Sequence, residues 1–490
     1  VATIPLVGPS YTSRSVVADC QRTINWYPEA VESGQGKAPA VLYPTPGLAP
    51  LTTATGPGTW RGLWAVPPRC FGVVGATLVD VRTPGGLTQP AVSCATLATG
   101  LINDGHPVSF ADNGIQGHQL LVASGGRVWL YDLQSGAVSQ PTLTVSPVVD
   151  VAFMDSYFVA LSPTALQISQ PDDGTTWNGV DVASRSEGAD PFVAMLQNHR
   201  ELWLLGTLTT EVWYDSGDAN FPLAPIPGVF INYGCAALAS LCHFDQTVAW
   251  LAQDRNGDRL AVIAAQYAPQ RVSTHAIEAE WRTYARIDDA VSWTYQEAGH
   301  SFWVLTFPTA SKTWVFDRAT NLWHERAFLN PATGAFEAHR ASCHAYVQNM
   351  HLVGDRASST LYALSEDQSV DDLPDAPAAA IRRVRRLPHL SQENEAVRFT
   401  RLEIELEMGL GTPTGQGVDP QAMLRWSDDR AHTWSSEWWI SASPMGTYSR
   451  RAQWWRLGRS RDRVFEVSVS DPIPWRLIGG YVTVQRGVGA

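Results

Sequence analysis

Few residues among the 490 stand at spacings that could do chemistry. Two segments have the composition of an Asp-box hairpin, S-x-D-x-G-x-T-W. The first, Asp172-Asp173-Gly174-Thr175-Thr176-Trp177, has everything except the leading serine, which is Gln170. The second, from Ser427 to Trp434, lacks only the glycine, where Ala431 stands. In such a turn a carboxylate caps backbone amides, glycine supplies a positive φ, and tryptophan packs under the hairpin. Asp172, Gly174, Trp177, Asp429, Thr433 and Trp434 are therefore expected to be structural turn residues. His275, His300, His324, His344 and His351 crowd one stretch, but no close pair has ligand spacing with a cysteine or carboxylate partner. The run Ile381-Arg382-Arg383-Val384-Arg385-Arg386 could grip phosphate or form a contact between subunits. The favoured reading is a charged sheet face, with arginine rows across from Glu403, Glu405 and Glu407. No P-loop, zinc-protease, nucleophile-elbow or dinucleotide-binding pattern occurs. No catalytic residue, cofactor site or metal site is expected.

Composition narrows the class. At 44% hydrophobic and 17% charged, the chain has ample material for a core, and 39 Gly with 32 Pro exclude a helical rod. The formal charge is −12, and Lys37 and Lys312 are the only lysines. A protein that holds nucleic acid non-specifically should carry a basic balance instead. The charge is also uneven: residues 371–490 hold 16 arginines against 15 carboxylates, and residues 1–370 hold 19 basic against 32 acidic side chains. No apolar run approaches the ~18–20 residues that cross a bilayer, so no membrane anchor is expected. The N-terminus shows no signal-peptide pattern, the six cysteines form no C-x-x-C pair, and no N-x-S/T sequon occurs. Free thiols and synthesis in a reducing cytosol follow.

The elements that must position these residues are β-strands. Residues 1–59 hold eight prolines and six glycines and read as an extended N-terminal arm with a few short strands. From Trp60 onward, short β-rich runs alternate with Gly, Asp and Asn turns, as in an all-β domain. A weak repeat runs through it: apolar-aromatic-x-aromatic-Asp, as in Val128-Trp129-Leu130-Tyr131-Asp132, Val212-Trp213-Tyr214-Asp215 and Trp314-Val315-Phe316-Asp317. Looser copies are Leu78-Val79-Asp80 and Leu361-Tyr362-Ala363. Intervals of about fifty residues, with a gap of about eighty that has room for a degenerate copy, indicate a β-propeller of six or seven blades. A single helix is expected over 276–284, with Ile277, Trp281 and Tyr284 on one face. Residues 366–380 read as an acidic linker that ends the 60–370 propeller domain. Residues 371–490 then form an antiparallel β-sandwich, in which Leu402-Glu403-Ile404-Glu405-Leu406-Glu407 alternates with period two. Asp-boxes also occur in propellers such as sialidases. The alternative function is accordingly a sialidase-like glycoside hydrolase or a glycan-binding receptor-recognition module. A sialidase would need three convergent arginines and a Tyr/Glu nucleophile pair, and the arginine motif that usually opens such domains is not evident.

Several segments resemble a known family. Cys20-Gln21-Arg22-Thr23-Ile24-Asn25-Trp26-Tyr27-Pro28-Glu29 and Leu42-Tyr43-Pro44-Thr45-Pro46-Gly47-Leu48 look like the N-terminal signature of packaged-DNA-stabilisation proteins, the tail hub or nozzle proteins of short-tailed bacteriophages. Ser273–Glu278, Gly299–Pro308 and Trp323-His324-Glu325-Arg326 continue the likeness. The most specific block is Leu424–Asp429, His432–Ser435 and Trp455–Phe465. The resemblance implies a non-enzymatic virion component, assembled in the bacterial host cytoplasm. Six copies would form a ring below the portal–adaptor complex, extend the DNA channel and retain the packaged genome until ejection. A tail needle or plug would close the far end, and spikes or fibres would attach around the ring. Double-stranded DNA would pass without sequence-specific binding. Each arginine or lysine on a phosphate adds affinity, so the channel is expected to be lined from the acidic 1–370 part.

Overall fold

The aromatic repeat marks one recurring position, the third strand of a four-stranded antiparallel sheet. Arg127–Asp132, Thr210–Asp215 and Lys312–Asp317 hold that place in three sheets, and the looser copies Thr77–Arg82 and Thr360–Ser365 hold it in two more. The computed structural model describes residues 1–82 and 92–486. Six propeller blades are built wholly from consecutive strands, over 60–99, 109–139, 150–184, 192–231, 234–271 and 291–325. A seventh, over 341–365, has only three strands of its own, and Gly47–Thr53 from the N-terminal arm pairs with Thr360–Ser365 to complete it. The gaps in the repeat hide blades 3 and 5, whose third strands, Ala165–Gln170 and Arg259–Ala265, lack the aromatic signature.

The apolar residues sort themselves accordingly. One buried cluster lies between each pair of neighbouring blades, from Phe71 with Trp129 between blades 1 and 2 round to Trp60 with Leu352 between blades 7 and 1. Tight hairpins set the strand register. Asp155-Ser156, Asp245-Gln246 and Gln348-Asn349 each have positive φ at both positions, the two-residue turn that matches strand twist. The helix forms as His275–Trp281, capped by the Thr274 hydroxyl, which accepts from the Ile277 amide at 3.4 Å. It stops short of the expected Tyr284.

The acidic stretch expected as a linker is instead a hairpin, Val370–Leu373 with Ala376–Ala380, added to the sheet of blade 7 beside Gly47–Thr53. Its short apolar residues Leu373, Ala376 and Ala379 are buried there. The following residues form two facing sheets around Trp26, Leu402, Leu424, Trp454, Phe465 and Trp475. The arm contributes to both. Ala2–Ile4 pairs with Leu477–Arg486, and the hairpin Trp26–Ala30 with Ala40–Pro44 joins the same sheet. Cys20–Ile24 lies between Leu322–Glu325 of blade 6 and Arg383–Arg386 of the other sheet. One continuous sheet of 11 strands thus runs from the propeller through the arm into the sandwich.

Candidate functional site

Two of the places where polar side chains concentrate are the seam where arm, propeller and sandwich meet, and one mouth of the propeller axis. At the seam, register puts Arg22 beside Arg386, Arg386 beside Glu466, and Glu466 beside Arg425 on four successive strands. Glu325 of blade 6 closes the row. Arg22 grips it through two parallel bonds, Nε to Oε1 at 2.7 Å and Nη2 to Oε2 at 2.6 Å. Glu466 accepts from Arg386 Nε at 2.8 Å on one oxygen and from Arg425 Nε at 2.6 Å on the other. Burial pushes the Glu325 carboxyl up, but Arg22, Lys312 and the Ser10 hydroxyl together hold the group below its ordinary value. Trp434 lies across the row, with the guanidinium carbons of Arg386 and Arg425 at 4.5 Å and 5.0 Å from its ring.

The neighbouring arginines of the run point elsewhere. Arg385 is fully buried and donates to Leu6 O at 2.5 Å, Pro9 O and Thr23 Oγ1 at 3.0 Å, and Gln21 Oε1 at 2.6 Å, clasping the arm. Burial pushes its pKa down to about 9. Arg383 is buried near Asp371, and burial lowers its pKa to about 10. Arg382 pairs with Glu437 and donates to Ser468 Oγ at 3.1 Å.

These arginines do not face Glu403, Glu405 and Glu407. Those glutamates lie on or just past Val397–Leu406 in the opposite sheet, where Gln453 and Arg451 serve Glu403, Lys37 and Tyr481 serve Glu405, and Arg476 serves Glu407. A charge ladder across strands does exist, but its carboxylates are Glu466 and Glu325. The signal for them was a lone glutamate inside an apolar run (Arg463-Val464-Phe465-Glu466-Val467, and Trp323-His324-Glu325), which must find a cation to be buried at all.

The two Asp-box turns differ. Asp429 accepts from Ser427 Oγ, Thr433 Oγ1 and the amides of His432 and Thr433, as its pattern requires. Arg430 and Ala431 both have positive φ, so Ala431 holds a left-handed conformation where the pattern has glycine. In the first turn the capping carboxylate is Asp173, which accepts from the Thr175 amide and hydroxyl, while Asp172 supplies the positive φ. Trp177 Nε1 donates to Gly174 O at 2.8 Å. Gly174 is needed for space: a Cβ there would lie 2.8 Å from Leu121 Cδ1 and 2.9 Å from Leu130 Cδ1 of blade 2.

The propeller axis holds a cavity of about 930 Å³. The inner strands all run the same way, and residues near their C-terminal ends form one rim: Trp64, Asp112, Asp155, Gln197, His243, Thr294 and Tyr346, one per blade. Arg61 is the one arginine among the described lining residues, and its guanidinium is spent on Gly75 O, Ile102 O, His106 O and Asp104. Deeper in the wall, Asp150 accepts from Ser109 Oγ and from the amides of Val151 and Met195. Burial nevertheless raises its pKa to about 6. Among the described residues no group of three or more His, Cys, Asp or Glu could hold a metal ion.

A closed propeller joined through an arm-borne strand to a β-sandwich defines an all-β protein of propeller-plus-sandwich class. The family models agree: residues 3–369 match the β-propeller of bacteriophage P22 Gp10, and residues 382–485 match its β-sandwich. The chain belongs to the P22 Gp10 family, and it is a phage tail hub protein, a component of the virion. No curated protein matches the sequence. Solved structures that match the chain include a computationally designed protein, Ika8, at 11% identity and TM-score 0.35, covering 65% of this chain and 99% of that one. The extracellular domain of a one-component system from B. thetaiotaomicron matches at 8% identity and TM-score 0.43 over 82% of this chain and 49% of its own. PorZ of Porphyromonas gingivalis, a surface component of the type-IX secretion system, matches at 10% and 0.36 over 72% of this chain and 44% of its own. No helix among the described residues is long and apolar enough to cross a membrane.

Proposed function

We propose that six copies of this chain form the ring of a short phage tail, below the portal–adaptor complex. The ring extends the DNA channel, retains packaged DNA and passes it during ejection. The arm of residues 1–59, the propeller with the hairpin added to blade 7, and the sandwich that follows it are the working parts. Family membership across both β-domains is the observation that carries this reading. The seam supports it mechanically: a sheet of 11 strands and a ladder from Glu325 to Arg425 make one stiff subunit of the two domains, as a wall under DNA pressure requires. The bore is lined by carboxylates of residues 1–370, which leave DNA free to slide. A needle or plug closes the distal end, and spikes or fibres dock outside. Electron microscopy of the assembled tail tests this. Sixfold rings with an acidic bore are expected, and a bore ringed by arginines or a persistent monomer that turns over a glycan would overturn it.

A further inference from the structure

The rim of the propeller axis is built unlike the stitched seam, because its side chains are left facing open space. Trp64 is 36% exposed and Tyr346 52% exposed, on the adjacent inner strands of blades 1 and 7. The Trp64 indole is pinned rather than loose: Nε1 donates to Asp112 Oδ2 at 2.7 Å, and the ring stacks on Phe110 at 17°. Farther round the rim stand Asp155, paired with Arg200, and the exposed His243.

We propose that this cavity is a binding site for a neutral oligosaccharide. Flat, rigid aromatic faces at the mouth suit the C–H face of a pyranose, which is apolar on that side and polar at its edge. Carboxylates at Asp112 and Asp155 accept hydroxyl protons. Among the described lining residues Arg61 is the one arginine, and backbone carbonyls and Asp104 consume it; Arg200 beside the rim is paired with Asp155, so no unpaired arginine there is offered to an acidic sugar. The volume of about 930 Å³ admits more than one sugar ring.

The test uses the full-length chain and isothermal titration with maltotriose, cellotriose and tri-N-acetylglucosamine, with sialyllactose and a hexa-arginine peptide as comparators. At least one neutral trisaccharide should bind, with one site per chain and more tightly than either comparator. Trp64→Ala and Tyr346→Ala should each weaken it about tenfold or more. Trp64→Phe should restore most of the binding, and Asp254→Asn, far from the rim, should leave it unchanged. Near-wild-type thermal unfolding shows that each variant is folded. No neutral saccharide binding, equal binding to Trp64→Ala, or tighter binding of the arginine peptide would each overturn the proposal. The ring reading stands or falls separately, because this assay needs no assembled tail.

Discussion

Replacing Arg385 with methionine tests whether the arm is clasped by one buried side chain. Methionine fills much of the same volume and removes every donor. Four acceptors then lose a charged partner: Leu6 O, Pro9 O, Thr23 Oγ1 and Gln21 Oε1. Hydrogen bonds to a charged group contribute about 1.5–3 kcal/mol each, so the gross loss is roughly 6–12 kcal/mol. Relief from burying a guanidinium, whose pKa burial pushes down to about 9, returns several kcal/mol of that. A net loss of about 3 kcal/mol remains, concentrated on residues 2–24. Local opening of the arm should then rise about a hundredfold in hydrogen exchange, while blades 2–5 stay protected. Trypsin should cut at the exposed Arg14 much faster than in the unsubstituted protein. Arg385→Lys, which keeps the charge but not the fork, should fall between. Exchange at residues 2–24 unchanged in Arg385→Met would refute the clasp.

Other expectations follow from the same geometry. Glu466→Ala removes the shared partner of Arg386 and Arg425 and should cost about 2–4 kcal/mol in denaturant unfolding, and a double-mutant cycle with Glu325→Ala should show coupling along the ladder. A cost below about 0.5 kcal/mol would reduce the ladder to ordinary surface pairing. Ala431→Gly should stabilise the sandwich by about 0.5–1 kcal/mol, read as a raised unfolding midpoint, because glycine adopts that positive φ without the clash an L side chain makes. Asp150 has a folded pKa raised to about 6, so its contribution to stability grows as pH falls through that value and is spent as pH rises above it. Asp150→Asn should flatten that part of the pH–stability curve of the propeller. It should also lower stability at every pH, since an amide cannot accept from all three donors. Glu325 works in the opposite sense: its depressed carboxyl stabilises above the unfolded pKa and loses that contribution in acid.

The fold was legible where its signals are local. Period-two alternation, Gly-Asp turns and the aromatic third strand are properties of a few adjacent residues, and they located most blades. Blade 3 and blade 5 escaped because Ala165–Gln170 and Arg259–Ala265 bury aliphatic residues at the positions that carry aromatics elsewhere. The route of the arm was not legible, since pairing across more than 300 residues leaves no spacing to read. The arginine run announced its charge but not its partners. Arg382, Arg383, Arg385 and Arg386 meet four different environments because alternate residues of a strand face opposite sides. The cavity rim was illegible for a related reason. Its seven residues come one per blade and are joined only when the ring closes.

Closure of blade 7 by Gly47–Thr53 bears on how the chain is made. The strands Ala2–Ile4, Cys20–Ile24 and Gly47–Thr53 are made well before their partners at 322–325, 360–365, 383–386 and 477–486, and must wait for them before their backbone groups are satisfied. Contacts this distant in sequence make closure slow, and they leave strands of the arm unpaired until those partners have been made. Emergence of the last partner strand, Leu477–Arg486, rather than of either β-domain's first strands, then sets the moment at which the arm can settle into both.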